Sequence, residues 1–414
     1  MVQTDGTPIK FSWKWPEAGD GNGDAMPEVR YNYEAIGTHA GTELDPLCQL
    51  AAKELMSRLA AAMPDVHMDN SWSHHLMSAM FDHDNSKLAA AAARGERIMS
   101  SVLMAAEFDP KGVVGFKTYV QPRFLAYPTG TPVEVYEKAM ASIEPGTESL
   151  ARAAVLDFLG NSAEGNMMRP FSVGVDNNSN SRLKWYFTTP HTSFASVRSI
   201  MTLDGRISTP HIKQQLASLD ALVKAVLGLP EDFPDDQHAT QFLGATSSNN
   251  FLPPSPPRSS HSASSSSSSS TSSRTTTPSP PPTIPPSYPY YFDIAPGQSL
   301  PSVKWNLPVR HFNRDDLTVA KALTTWMEKQ GRGTHYSKQY MALLQKLAAE
   351  KDMVLQECHG LQEFISIMFQ PDGQIALTTY FSGHAFGFGQ DKSQLMRQMH
   401  LTGRRATRRR GEDY

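Results

Sequence analysis

The stretch that decides the fold is Ser181 to Pro190, SRLKWYFTTP. Successive side chains of a β-strand point to opposite faces, so Arg182, Lys184 and Tyr186 share one face and Leu183, Trp185 and Phe187 share the other. One face is apolar and the other is cationic. If other elements cover the apolar face, the cationic face meets either bulk water or the inside of a closed sheet.

Working outward, two strand-like segments stand close together five times: 8–15 with 27–34, 101–108 with 113–121, 167–175 with 182–188, 288–295 with 301–308, and 362–369 with 374–382. Connectors such as DNNSN (176–180) and PDG (371–373) are rich in turn formers and suit hairpins. Helical patterns separate the pairs. Residues 43–63 carry Leu44, Leu47, Leu55 and Leu59 near helical spacing, with Asp45 and Pro46 as cap and first turn. Residues 336–350 place Tyr336, Tyr340, Leu343, Leu344 and Leu347 on one face. Ten antiparallel strands protect their edges most simply by closing into a barrel. Helices that need an apolar surface then lie outside it, and the polar parity of each strand lines a solvent-filled lumen. The fold expected is α+β.

Composition narrows the alternatives. A net charge of −3 with 19% charged residues argues against a general nucleic-acid binder, so any basic patch is local. Only Cys48 and Cys358 occur, which excludes a disulfide framework and a cysteine zinc site and fits a reducing, cytoplasmic setting. The N-terminus has no apolar signal core and no run of apolar residues reaches spanning length, so neither secretion nor a membrane is expected. The serine, threonine and proline tract at 245–288 reads as a disordered insertion. It divides a first barrel part, 1–244, from a second, 289–395, and residues 396–414 form a basic tail.

In the second strand of each pair the polar parity gives Arg30, then Lys117 and Tyr119, then Arg182, Lys184 and Tyr186, then Lys304 and Asn306, then Thr378 and Tyr380. On any single strand such cations are ordinarily solvent-facing. Converging inside one barrel, unpaired cations would repel and be costly to desolvate, and a polyanion such as diphosphate would neutralise them. Tyrosine faces among them can shield an allylic carbocation left by a departing diphosphate. No third carboxylate completes a magnesium-binding run in RDDLT (314–318) or PDDQH (234–238), which read as a helix start and a loop. His74 and His75 are adjacent and diverge on a helix, which disfavours a metal cluster.

From TPIKFSWKW to TTYFSGHAF, and most specifically in PEVRYNYEAIGTHAGTELDP, FKTYVQP and SRLKWYF, the chain resembles the fungal aromatic prenyltransferases of the dimethylallyltryptophan synthase family. The resemblance implies the ABBA barrel and metal-independent, cofactor-free transfer of a prenyl group from dimethylallyl diphosphate to a small aromatic acceptor, usually an indole, in secondary (alkaloid) metabolism. It implies a monomer or homodimer with no nucleic-acid partner. By matching position, Arg30, Lys117, Arg182, Lys184 and Lys304 would hold the diphosphate, and Tyr119, Tyr186 and Tyr380 would form the tyrosine shield.

The chain departs from the family at the acceptor. The family usually carries a glutamate on the first strand to accept a hydrogen bond from the indole nitrogen, and this chain has Lys10, which donates only. Asn306 stands where the family commonly has a tyrosine. A lysine proposed as proton acceptor in the family is replaced by the LMAAEFD segment, where Glu107 is nearby. The first strand also starts close to Met1, where family members usually have helical sequence. Lys10 and Asn306 are therefore the acceptor-pocket candidates. Two other functions fit the same residues: a prenyl-diphosphate-binding barrel impaired in turnover, and a nucleic-acid-binding sheet, since basic residues alternating with tyrosine also occur on stacking platforms.

Overall fold

The computed structural model describes residues 8–16, 27–94, 101–109, 112–127, 130–143, 149–242, 287–312, 314–350 and 353–383. Among them ten strands occur: β1 (Ile9–Lys14), β2 (Glu28–Tyr33), β3 (Val102–Asp109), β4 (Gly112–Val120), β5 (Arg169–Asp176), β6 (Leu183–Thr189), β7 (Tyr288–Ile294), β8 (Ser302–Leu307), β9 (Gln362–Phe369) and β10 (Ile375–Ser382). Each pairs antiparallel with its sequence neighbour, and β1 pairs with β10, so the sheet closes into a barrel without an edge.

Helices α1 (Leu50–Ala62), α2 (Ser71–Ala79), α3 (Asn85–Ala93), α4 (Val133–Ala141), α5 (Leu150–Asn161), α6 (Ala163–Met167), α7 (Phe194–Thr202), α8 (Ile212–Leu227), α9 (Ala239–Phe242), α10 (Asp316–Lys329) and α11 (Thr334–Ala349) separate the strand pairs. The core lies between them and the outer face of the barrel. Leu183, Trp185 and Phe187 of β6 are buried there with Tyr290 and Phe292 of β7 and Trp305 of β8. Trp185 and Phe187 pack with ring centroids 4.8 Å apart, and Phe187 meets Phe292 at 5.5 Å. Burial of this aromatic belt supplies the hydrophobic gain that fixes strand parity, since a one-residue slip would turn it into the polar lumen.

Local signals set the helix starts. Asp315 caps α10 by accepting from the Thr318 amide at 2.8 Å, as the reading of RDDLT as a helix start expects. The Asp316 carboxylate accepts from the amides of Leu361 (3.0 Å) and Gln362 (2.7 Å), tying α10 to the start of β9. The first helix differs from expectation. It begins at Leu50, not beside Pro46, because residues 41–48 make turns and Asp45 reaches forward to accept from the amides of Gln49 (2.7 Å) and Leu50 (3.2 Å). Leu44 is consequently exposed, whereas Leu47 is buried.

The Ser/Pro tract lies outside the described residues up to 286, and its reading as an insertion is a proposal; Tyr288, placed at its C-terminal limit, is the first residue of β7. The basic tail and residues 384–395 of the second barrel part also lie outside the described residues. No helix among the described residues is long and apolar enough to cross a membrane.

Candidate active site

Strand β1 sets out the lumen in three tiers. Its inward residues Lys14, Ser12 and Lys10 pair in register with Glu28, Arg30 and Asn32 of β2 and with Thr378, Tyr380 and Ser382 of β10.

The first tier is charged. Lys117, Lys184 and Lys304 are nearly buried, while Arg182, just ahead of β6, is 41% exposed at the rim. Lys117, Lys184 and Arg182 are not unpaired, which corrects the premise that only a bound anion could neutralise the lumen cations. Asp176, the last residue of β5, is shared by Lys184 (2.5 Å), Arg182 (2.9 Å) and Lys117 (3.6 Å). Asp293 on β7 accepts from Arg182 at 2.9 Å, and Glu107 on β3 pairs with both Lys117 and Arg30. Arg30 also reaches Glu28 at 3.2 Å. Burial would raise the Asp176 carboxyl on its own, but Lys184 and Lys117 override it and hold it at about 2. Asp293 is raised by burial in spite of Arg182, and its Oδ1 is buried without a partner among the described residues.

The internal carboxylates do not serve every cation. Lys304 has no ion-pair partner among the described residues; burial, then Arg30, Lys117 and Lys14, lower it to about 7. Lys184 is likewise lowered to about 7 by burial and by Lys117, because Asp176 is divided among three cations. Two lysines near neutrality and a set of partly satisfied donors make a seat that gains by receiving a multiply charged anion.

The second tier is aromatic. Tyr119 and Tyr186 meet edge to face with centroids 5.9 Å apart, Tyr186 and Tyr291 lie 4.9 Å apart, and Phe171 flanks Tyr186 at 5.8 Å. Tyr380 and Arg30 face the same group: both act electrostatically on Tyr119, Tyr186 and Tyr291. Burial pushes those three hydroxyls up, so they remain neutral. Gly174 makes room for Tyr119: a Cβ there would lie 2.7 Å from Tyr119 Cδ1.

The third tier holds Lys10. Its Nζ lies 2.6 Å from Glu363 Oε2 and 4.7 Å from the centre of the Phe364 ring; Arg310 Nη1 holds the other oxygen of Glu363 at 2.8 Å. Asn306, the second acceptor candidate, accepts from Ser366 Oγ, its register partner on β9.

The diphosphate and shield candidates thus line one lumen, and the cationic face of SRLKWYF is internal. Sequence reasoning missed Tyr291, Asp293, Asp176 and Glu363. The first two share the inward parity of β7, YPYYFDI, a signal present in a strand that was not read for polar residues. Asp176 was read as a turn former. Glu107, noted only as a nearby carboxylate, lies in the lumen between Arg30 and Lys117. His75 meets Ser142 at 2.9 Å, and the described residues contain no group of three His, Cys, Asp or Glu side chains suited to a metal.

The family model described as tryptophan dimethylallyltransferase matches residues 1–343. A prenyltransferase of Pestalotiopsis microspora, GME11375, is 40% identical over all of this chain and 82% of its own length. Xanthone prenyltransferase B of Emericella nidulans is 37% identical over all of this chain and 80% of its own length. Among solved structures, AnaPT from Neosartorya fischeri superposes with a TM-score of 0.67 at 20% identity, covering 94% of this chain and 81% of that one. NotF in complex with brevianamide F and DMSPP gives 0.66 at 21% identity over 92% and 81%. These two likenesses speak for the fold, and the extent of the family match together with the identity of the relatives establishes descent. The chain belongs to the dimethylallyltryptophan synthase family of metal-independent aromatic prenyltransferases, built on the ABBA barrel.

Proposed function

We propose that the protein transfers a dimethylallyl group from its diphosphate to a carbon of a small, electron-rich aromatic ring. The observation that carries the reading is the stacking of tiers: Arg30, Lys117, Arg182, Lys184 and Lys304 beside a cluster of Tyr119, Tyr186, Tyr291 and Tyr380 within one closed lumen.

Each tier does separate work. The cations and Arg30 stabilise the charge that grows on diphosphate as the allylic C–O bond breaks, a role that preorganised donors perform well where water is excluded. The tyrosine faces receive the carbocation through their quadrupoles, and their bulk keeps water from capturing it. The acceptor ring then attacks from the side of the tyrosines away from diphosphate, and loss of a ring proton restores aromaticity.

The family resemblance carries an indole-type acceptor as the first reading. A hydroxyaromatic acceptor is the second, favoured by the cation at Lys10 where an indole-binding carboxylate is usual; the relative named a xanthone prenyltransferase is consistent with it. The test is incubation with dimethylallyl, geranyl and farnesyl diphosphates and a panel of aromatics in EDTA, with product masses read out. Prenylated products in chelator support the reading. A protein that fails to bind any prenyl diphosphate overturns it, and one that binds donor without product supports the impaired barrel instead.

A further inference from the structure

We propose that Asp293 is a catalytic acid of the transfer: its free oxygen shares a proton with the bound diphosphate and passes it over as the allylic C–O bond breaks. The inference rests on the transferase reading and gives the departing group of that same reaction its proton source.

Asp293 is the last inward residue of β7. In register it faces Lys184 of β6 on one side and Ser302 of β8 on the other, one inward step along β7 from Tyr291, which pairs with Lys304. It therefore stands among the cations assigned to diphosphate. Asp293 is 4% exposed, and only one of its oxygens is used: Arg182 Nη1 lies 2.9 Å from Oδ2, while Oδ1 is buried with no hydrogen-bond partner among the described residues. Asp176 has no such oxygen to spare, since Lys184 and Lys117 share its Oδ1 and Arg182 takes its Oδ2. The charged and titratable groups that face Asp293 are Arg182 and Lys184 at β6, Asp176 of β5, Lys117 of β4, Lys304 of β8 and the Tyr291 hydroxyl of its own strand. Contact separates the two carboxylates. Asp176 has three cations within 3.6 Å and is held low, whereas Asp293 has one, and burial, with the charge of Asp176 beside it, raises it. Two carboxyls whose surroundings push them apart are the arrangement in which one stays ionised and the other serves as an acid.

An ionised Asp293 beside diphosphate would set two anions against each other, and one proton between them turns that repulsion into a hydrogen bond. Diphosphate itself favours this state, because its negative charge beside Oδ1 disfavours the carboxylate. In the reaction the C–O bond of the prenyl diphosphate breaks and its electron pair leaves with diphosphate. The proton moves from Oδ1 to a diphosphate oxygen, leaving hydrogen diphosphate and the Asp293 carboxylate. The carbocation forms its C–C bond with the acceptor ring, and the ring proton lost as aromaticity returns goes to solvent, from which Asp293 is protonated again. Atoms and charge balance as prenyl diphosphate plus arene giving prenylarene plus hydrogen diphosphate. The proton lowers the charge that the departing group must carry, which is the contribution of a general acid.

The experiment is single-turnover release of diphosphate from saturating dimethylallyl diphosphate, with the aromatic that reacts fastest in the panel above, between about pH 6 and pH 9 and in light and heavy water. The parent's rate is expected to fall as pH rises, because the protonated carboxyl is the active form, and to slow in heavy water. Asp293→Asn keeps the shape and can still hydrogen-bond to diphosphate, but it has no proton to give. Its release should be at least about a hundredfold slower, with a flat profile and no slowing in heavy water, and its donor affinity by calorimetry should be within about threefold of the parent's or tighter. Asp293→Glu returns an acid and should restore the falling profile, and Lys304→Met should weaken donor binding while keeping that profile. A parent with a flat profile and no heavy-water effect, or an Asp293→Asn protein that keeps the parent's profile and rate, would overturn the assignment. If Asp293→Asn does not fold, the parent and Asp293→Glu still decide. A flat profile with donor binding and release intact removes only the role of Asp293; absence of donor binding by the parent removes the transferase reading itself.

Discussion

Lys184 Nζ lies 2.5 Å from Asp176 Oδ1 across the β5–β6 pair, so the lumen's deepest donor-site cation is held by a carboxylate already folded into the protein. Diphosphate must compete with that carboxylate. Lys184→Met should nonetheless cost roughly ten- to a hundredfold in donor affinity, the value of one charge-assisted contact. Stability should change little, because Arg182 and Lys117 still hold Asp176. On the opposite face Leu183 is buried under the helices, and Leu183→Asp should destabilise by on the order of 3 kcal/mol or more through an unpaired buried carboxylate. Calorimetry with prenyl diphosphate and melting temperatures for both variants check the pair of expectations; normal donor binding by Lys184→Met would remove the seat assigned to it.

Asp176→Asn removes the internal competitor. Three cations lose their shared counter-charge, so the ligand-free protein should melt at lower temperature. Bound diphosphate then replaces what was lost, and the rise in melting temperature on adding donor should exceed that of the parent. An equal or smaller donor-induced rise would mean that Asp176 and diphosphate do not contend for the same cations.

What the sequence revealed and what it hid divide along physical lines. Strand parity is a local signal, so the ten strands and the inward cations were legible; β9 was read as 362–369 and is Gln362–Phe369. The carboxylates were not, because Asp176 ends a strand beside a turn and Asp293 lies on the first strand of its pair. The Lys10 to Glu363 contact depends on barrel closure between β1 and β10 and on a bulge in β9, and no periodicity in the chain announces either. The start of α1 was hidden for a smaller reason: Asp45 caps from a turn several residues ahead of the helix, not from the cap position itself.

The two depressed lysines give the donor site a pH dependence with a definite sign. Lys184 and Lys304 fall from the ordinary 10.5 to about 7 in the ligand-free fold. Between those values the unfolded chain binds protons that the folded chain has released, so stability without ligand rises with pH across the window. Diphosphate favours the charged lysines, and donor binding at about pH 8 should take up between about one and two protons, with affinity falling as pH climbs. Calorimetry in buffers of different ionisation enthalpy measures the uptake. Lys304→Met should reduce it, and no uptake by the parent would contradict the electrostatic account of the seat.

Residues 250–284, within the Ser/Pro tract between α9 and β7, are expected to be dispensable, since low-complexity sequence adds no core and closing a long surface insertion costs little. Their deletion should leave melting temperature and donor affinity near the parent's. A loss of several degrees would show that the tract supports the barrel.

Gly174 offers the cleanest separation of binding from chemistry. It pairs in register with Tyr119 on one side and Lys184 on the other, and a Cβ there would meet Tyr119 Cδ1 at 2.7 Å, Cε1 at 2.9 Å and Tyr186 Cε2 at 3.4 Å. Those atoms belong to rings packed in the shield, so Gly174→Ala must push Tyr119 off its place instead of deflecting a loose chain end. The added Cβ meets atoms of Tyr119 and Tyr186 and none of the diphosphate cations, whose ion pairs with Asp176 stay in place, and donor affinity should stay within about threefold of the parent, less than one charge-assisted contact is worth. Transfer should slow by about tenfold or more, because a misplacement of order 1 Å at the reacting centre is costly. A displaced shield also admits water to the carbocation, so the ratio of prenyl alcohol to prenylated product should rise. Kinetics with product partitioning, read beside calorimetry, decide the matter: a Gly174→Ala protein that transfers at the parent's rate with no added alcohol would show that the tyrosine tier does not shield the cation.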